Sequence, residues 1–174
     1  PRPETAVLGV VTLRDRLLPL VSLRTLLGLA PTDEQRQRGK VVVMSIGESV
    51  VGVVVDATRE ILRLDPGIID PAPSLLTRGE GDAEINSICR LEGGRRLVAL
   101  LSADRLFRSD IMRRILDEQE ISPPAMQPEA DFMAEEQFII FRLGKQDYGI
   151  PIASVSEIAR PPEHVTRLPK APAF

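Results

Sequence analysis

The chain has 174 residues, 43% of them apolar, which suffices for one substantial core or two small ones without disulfides or metal. Its 22 basic and 25 acidic side chains are interspersed and leave a net charge of −3, so there is no field to gather nucleic acid or an anionic membrane surface. One cysteine, Cys89, excludes an intrachain disulfide, and no apolar run reaches the roughly 18 residues of a membrane span; a cytoplasmic protein without membrane insertion is expected.

Val7 to Thr12 and Leu17 to Leu23 are short leucine-rich or β-branched runs around the charged Arg14, Asp15 and Arg16, and they predict a hairpin. Leu23, Leu26 and Leu27 stand at helical spacing before Gly28, which gives a short helix over Ser22 to Leu29. Pro31 to Lys40 reads as a loop. Val41 to Ile46 and Val50 to Val55 flank Gly47-Glu48-Ser49, a second hairpin whose near-continuous valine implies burial on both faces, as in a small closed barrel. The pattern weakens from Ala57 to Leu64 and becomes irregular around Pro66, Gly67, Pro71 and Pro73.

Gly79 to Asp82 marks another turn. Ile85 to Leu91 and Leu97 to Leu101 form a third hairpin around Glu92-Gly93-Gly94-Arg95, with Arg95 and Arg96 read as solvated turn residues. Ala103 to Glu120 is the longest helical candidate, carrying Leu106, Ile111, Ile115 and Leu116 on one face. Residues 119–136, with Pro123, Pro124, Pro128 and several acidic side chains, have a linker composition. Phe138 to Leu143 and Tyr148 to Ile152 flank Gly144-Lys145 as a fourth hairpin; Ala153 to Arg160 reads as a short helix stopped by Pro161-Pro162, and His164 to Leu168 as a last strand. The class is all-β with a few short helices.

No chemistry-bearing constellation accompanies these elements. His164 is the only imidazole and has no nucleophile or metal partner in a recognisable spacing, Gly93-Gly94 lacks the phosphate-loop context, and Cys89 sits in a strand-like run as a small core residue. Neither an enzyme nor a cofactor or metal site is expected. A small-barrel nucleic-acid module, the reading from another class, would need basic grooves and stacking aromatics that the sequence lacks.

The order of the segments carries the functional signal. The tail FIIFRLGKQDYGIPI, ASVSEIAR and PPEHVTRLPKAPAF resembles the amino-terminal third of the CheW-like family of bacterial chemosensory scaffolds. VLGVVTLRDRLLPLVSLRTLLGL resembles the segment that follows it there, and VVVMSIGESVVGVVVDATREIL with INSICRLEGGRRLVALLSADRLF the remainder. Residues 1–118 therefore read as the middle and end of one such domain, 119–136 as an acidic linker, and 137–174 as the opening of the next: an excerpt of a tandem protein, with a circular permutant as the rival explanation. The resemblance implies two small SH3-like barrels packed together, completed by strands from the tail either within one chain or swapped in a homodimer.

By the same resemblance the chain is an adaptor that couples chemoreceptor cytoplasmic tips to a CheA-type histidine kinase; the regulatory domain of such a kinase is the alternative. The turn Leu13, Arg14 and Asp15 is the implied contact, because an exposed guanidinium offers planar, multidentate hydrogen bonding. Here the family commonly carries Asn-Leu-Arg-Gly and this chain Thr12-Leu13-Arg14-Asp15, which sets a carboxylate beside Arg14 with which it can pair locally. Ser22 replaces a common Asp before Leu23 and Arg24; these two serve packing and solubility first, with Arg24 kept among the candidate contacts. Ile158 and Arg160 complete the set as an exposed edge before the prolines.

Overall fold

The computed structural model describes residues 6–30, 32, 39–46, 49–73, 85–107 and 136–160. They form strands β1 (Val7–Leu13), β2 (Arg16–Ser22), β3 (Lys40–Ile46), β4 (Ser49–Val55), β5 (Ala57–Leu64), β6 (Ile69–Pro71), β7 (Ile85–Leu91), β8 (Arg96–Leu101), β9 (Glu136–Leu143), β10 (Gln146–Pro151) and β11 (Val155–Ala159). Two single-turn helices, α1 (Leu23–Leu26) and α2 (Ala103–Leu106), follow β2 and β8. A five-stranded sheet runs β1-β2-β4-β3-β11 and a six-stranded sheet β5-β9-β10-β8-β7-β6.

Successive side chains on a strand point to opposite faces, and here both faces have an apolar destination. Val42 and Met44 of β3 and Val51, Val53 and Val55 of β4 meet Ala99 and Leu101 of β8 and Ile139, Phe141 and Leu143 of β9 in a core shared by the two sheets. The alternate residues Val11, Leu18, Leu20, Val41, Val43 and Val54 fill the inside of the first sheet, and Leu64, Cys89, Val98, Leu100, Phe138 and Ile140 that of the second. Double-sided burial is why the valine runs are continuous rather than alternating.

Each sheet curls on itself. Val11 of β1 and Ala159 of β11, from the two outermost strands of the first sheet, share one inner cluster, as do Leu64 of β5 and Ile69 of β6 in the second. Sheets whose first and last strands pack on a common interior are small barrels, and two of them packed together are the architecture expected from the sequence.

The carboxyl-terminal strands complete both. β9 runs antiparallel to β5 from Ala57↔Arg142 to Leu64↔Glu136, and β10 runs parallel to β8 at Asp147↔Val98, Tyr148↔Ala99 and Gly149↔Leu100. β11 extends the first sheet along β3. The ladder between the tail and the first part of the chain thus forms within one chain. β9 buries Phe138, Ile139, Ile140, Phe141 and Leu143, each contributing about 1.5–3 kcal/mol relative to exposure.

Each barrel interior has one point of close approach that requires glycine. A Cβ on Gly52 would stand 2.6 Å from Leu20 Cδ2, and one on Gly149 2.8 Å from Leu100 Cδ2.

Two expectations need correction. Ala153 to Arg160 is not a helix: a 3-10 turn at Ile152–Ser154 leads into β11, which pairs with the edge of β3. Ala57 to Leu64, read as weakly patterned, is the eight-residue strand β5. Both strands carry a register shift, between Val155 and Glu157 and between Thr58 and Glu60. A bulge inserts one residue and breaks the period-2 alternation by which a strand is recognised. The β2–β4 ladder is parallel and comprises Leu20↔Gly52, Val21↔Val53 and Ser22↔Val54. The Gly79 to Asp82 turn, the 119–135 linker, the long helix beyond Phe107 and the His164 to Leu168 strand lie outside the described residues, as does most of the Pro31 to Lys40 loop.

Candidate interaction site

The hairpin tip between β1 and β2 is a two-residue turn with both central residues at positive φ, Arg14 at 48° and Asp15 at 64°. Aspartate tolerates this region better than most residues, so the turn closes without glycine. Leu13 is half-buried and packs against the inner core of the first barrel, while Arg14 and Asp15 are exposed.

Arg14 does not turn to Asp15. Its Nη2 lies 3.1 Å from Glu157 Oε2 on β11, although the Arg14 side chain remains 82% exposed. Because β1 and β11 are the outermost strands of the first sheet, this pair spans the barrel's open end. Alongside it, Ser45 and Ser156 share a hydrogen bond of 2.6 Å between β3 and β11.

Ile158 lies opposite Val42 in the ladder, on the face of β11 that turns away from Glu157 and Ala159, and it is 45% exposed. Arg160 is exposed just past the strand. The structure thus gathers Leu13, Arg14 and Asp15 at one end of the first barrel, with Glu157 as a member that sequence spacing gave no means to find, and sets Ile158 on the other side of the same strand.

Arg24 is committed inside the molecule. Its Nε and Nη2 reach Asp56 at 2.9 and 2.6 Å, and its Nη1 donates to the Ala30 carbonyl at 3.0 Å. Asp56 also accepts from the Gly144 amide at 2.7 Å, and its own amide donates to the Arg142 carbonyl. Lying between β4 and β5, Asp56 joins α1 of the first barrel to the β9–β10 turn of the second. Burial pushes its carboxyl upward, but the Arg24 hydrogen bonds, the Gly144 amide and the Arg24 charge outweigh this and hold it below the ordinary 3.8. Ser22, where the family commonly has Asp, still caps α1 by accepting from the Thr25 amide at 3.3 Å.

A second charged constellation, which the sequence reading did not assemble, occupies one end of the second barrel. Asp147 on β10 is 5% exposed. Its Oδ1 lies 3.3 Å from Arg59 Nε and 3.2 Å from Arg142 Nε, and its Oδ2 2.8 Å from Arg96 Nε. Arg96 Nη1 reaches Glu60 at 2.7 Å. Arg96 is therefore not a solvated turn residue; it is a strand residue turned inward, its side chain 22% exposed. The available signal was a parity violation: Asp147 shares its face with Gly149, and Arg142 with Phe138 and Ile140, so two adjacent strands place charge where their pattern calls for apolar residues.

Among the described residues no group of three or more His, Cys, Asp or Glu side chains could hold a metal ion, and no helix is long and apolar enough to cross a membrane. A model of the CheW-like domain matches residues 1–110 and 137–174.

The chain belongs to the CheW-like family. It is 31% identical over 107 residues to a probable chemotaxis protein CheW of Rhizobium etli, covering 62% of this chain and 66% of that protein. With the chemotaxis protein CheW of Rhizobium meliloti it shares 31% identity over 110 residues, 63% of this chain and 68% of the other. With that of Helicobacter pylori it shares 30% over 112 residues, 62% and 64% respectively. The chain spans about two thirds of the length of these relatives. The crystal structure of the scaffolding protein TtCheW from Thermoanaerobacter tengcongensis superposes with a TM-score of 0.51 at 19% identity, over 60% of this chain and 68% of that one, a likeness of fold. The match in two separated stretches follows the architecture: in this CheW-like chain the strands of 137–160 sit within sheets built from residues 7–101.

Proposed function

We propose that this chain is a non-enzymatic, cytoplasmic coupling module of bacterial chemotaxis, which holds chemoreceptor tips and a CheA-type histidine kinase together by protein contacts. The observation that carries this reading is the family match over both stretches of the chain, 1–110 and 137–174, whose strands together build one two-barrel unit. We assign residues 1–118 to one family domain, 119–136 to a linker and 137–174 to the start of the next.

Partner contact is assigned to the end of the first barrel, at Leu13, Arg14 and Asp15, and to the exposed side of β11 at Ile158 and Arg160. Arg14 keeps most of its guanidinium in solvent while Glu157 fixes its direction, which lowers the entropy a partner must remove on binding. Arg24 supports the site from a distance by joining the barrels. Self-closure is the working state, because tail and body are tethered at an effective concentration of about millimolar; a strand-exchanged homodimer, with the same ladder formed between copies, is the form expected above that range.

The test is a pull-down of the full chain with receptor cytoplasmic tips and kinase regulatory domain, alongside light scattering to fix the oligomeric state. Capture that weakens about tenfold in Arg14→Ala and in Ile158→Glu supports the reading. A folded chain that captures neither partner overturns it.

A further inference from the structure

The charges at the end of the second barrel do not neutralise one another. Three guanidiniums, of Arg59, Arg96 and Arg142, face two carboxylates, of Asp147 and Glu60, leaving one excess positive charge in a chain whose net charge is −3. Donors are in surplus as well. Arg59 and Arg142 each approach Asp147 through Nε, at 3.3 and 3.2 Å, and among the described residues neither side chain is held by another ion pair. Arg96 Nη2 is buried and, among the described residues, has no hydrogen-bond partner. Native interiors rarely leave such a group unpaired.

We propose that this end of the second barrel is a docking site for a carboxylate side chain on an acidic segment of a partner protein. The Arg59 and Arg142 side chains are 36% and 38% exposed, so their outer edges are open to a ligand while their inner edges are held. A planar guanidinium edge matches the two oxygens of a carboxylate. One excess charge calls for a monoanion, whereas a phosphate dianion would leave the site negative. Asp147, behind the guanidiniums and almost fully buried, orients them and keeps them from collapsing onto other acceptors. The site lies on the second barrel, apart from the Arg14 end of the first, and does not depend on the adaptor reading.

The experiment uses the full chain, isotope-labelled so that the arginine Nε–Hε signals are resolved by NMR. It is titrated with a capped tetraglutamate peptide and, at matched ionic strength, with a capped tetraglutamine peptide. Tetraglutamate is expected to shift the Arg59 and Arg142 signals saturably and to leave those of Arg14 and Arg160 in place. The Arg59→Gln/Arg142→Gln double variant should bind it about tenfold more weakly. Arg142→Lys, which preserves charge and loses the planar edge, keeps the test open if the double variant does not fold, and should weaken binding severalfold. Uniform shifts of all arginines, an equal response to tetraglutamine, no saturation, or undiminished binding by whichever variant folds would each overturn the proposal.

Discussion

The two barrels close their ends by different means. The first uses one ion pair, Arg14 with Glu157, made by a hairpin tip reaching across to an edge strand, with the arginine exposed and the glutamate 25% exposed. The second uses five charged side chains from β5, β8, β9 and β10 arranged around a buried carboxylate. An exposed pair adds little to stability, on the order of 0–1 kcal/mol, so it can be surrendered to a partner. A buried anion holding three cations cannot be removed without leaving those cations uncompensated. The difference follows from what the tail supplies: an edge strand to the first barrel, two interior strands to the second. Where the tail enters the middle of a sheet, its register must be fixed, and Asp147 can meet Arg59, Arg96 and Arg142 together only in the observed register.

The sharpest way to break this comparison is Asp147→Ala. It should destabilise the full chain by about 3 kcal/mol, near the low end for loss of one partner of a buried charge pair because the arginines keep some solvent. Denaturant unfolding would read the loss, and Glu157→Ala measured alongside should cost well under 1 kcal/mol. Equal effects would mean that the two ends are not energetically distinct.

The next effect tests the interiors. Gly52→Ala should cost about 2 kcal/mol and Gly149→Ala about 1 kcal/mol in thermal unfolding, within the usual range for overpacking. The order reflects Cβ contacts at 2.6, 3.0 and 3.0 Å in the first barrel against 2.8, 3.1 and 3.5 Å in the second. The reverse order would place the tighter interior in the barrel with the inserted strands.

A further effect, of similar size, concerns the joint between barrels. Asp56 titrates below 3.8 in the folded chain, so its contribution is fully present above its unfolded value and is lost as pH falls through the lower folded one. Asp56→Asn should cost about 1–2 kcal/mol at neutral pH through its weakened bond to Arg24. It should also flatten the acid limb of the stability curve below that pH. Amide exchange at Gly144 would show whether the joint opens first; an unchanged acid limb would remove Asp56 from the account.

Local patterns were legible where both faces of a strand are buried or a glycine turn joins two runs. The hairpins β1–β2, β3–β4, β7–β8 and β9–β10 belong to this group, and the placement of Cys89 in a core was legible for the same reason. β5 and β11 were not: β1 and β7 carry a register shift too, but in β5 and β11 the shift falls beside charged residues, Arg59 and Glu60 in one and Glu157 in the other. Arg24 looked like a surface charge because its partner lies 32 positions away. The Arg14–Glu157 pair spans 143 positions and appears only when the outer strands of one sheet meet.

By itself the sequence determined the class and the family, because these reside in local periodicity, turn chemistry and segment likeness. Tertiary structure alone decided which charges are spent inside the molecule and which face outward. An arginine's role depends on the acceptor within about 3 Å of it, and the ladders that bring β9, β10 and β11 to β5, β8 and β3 set that distance.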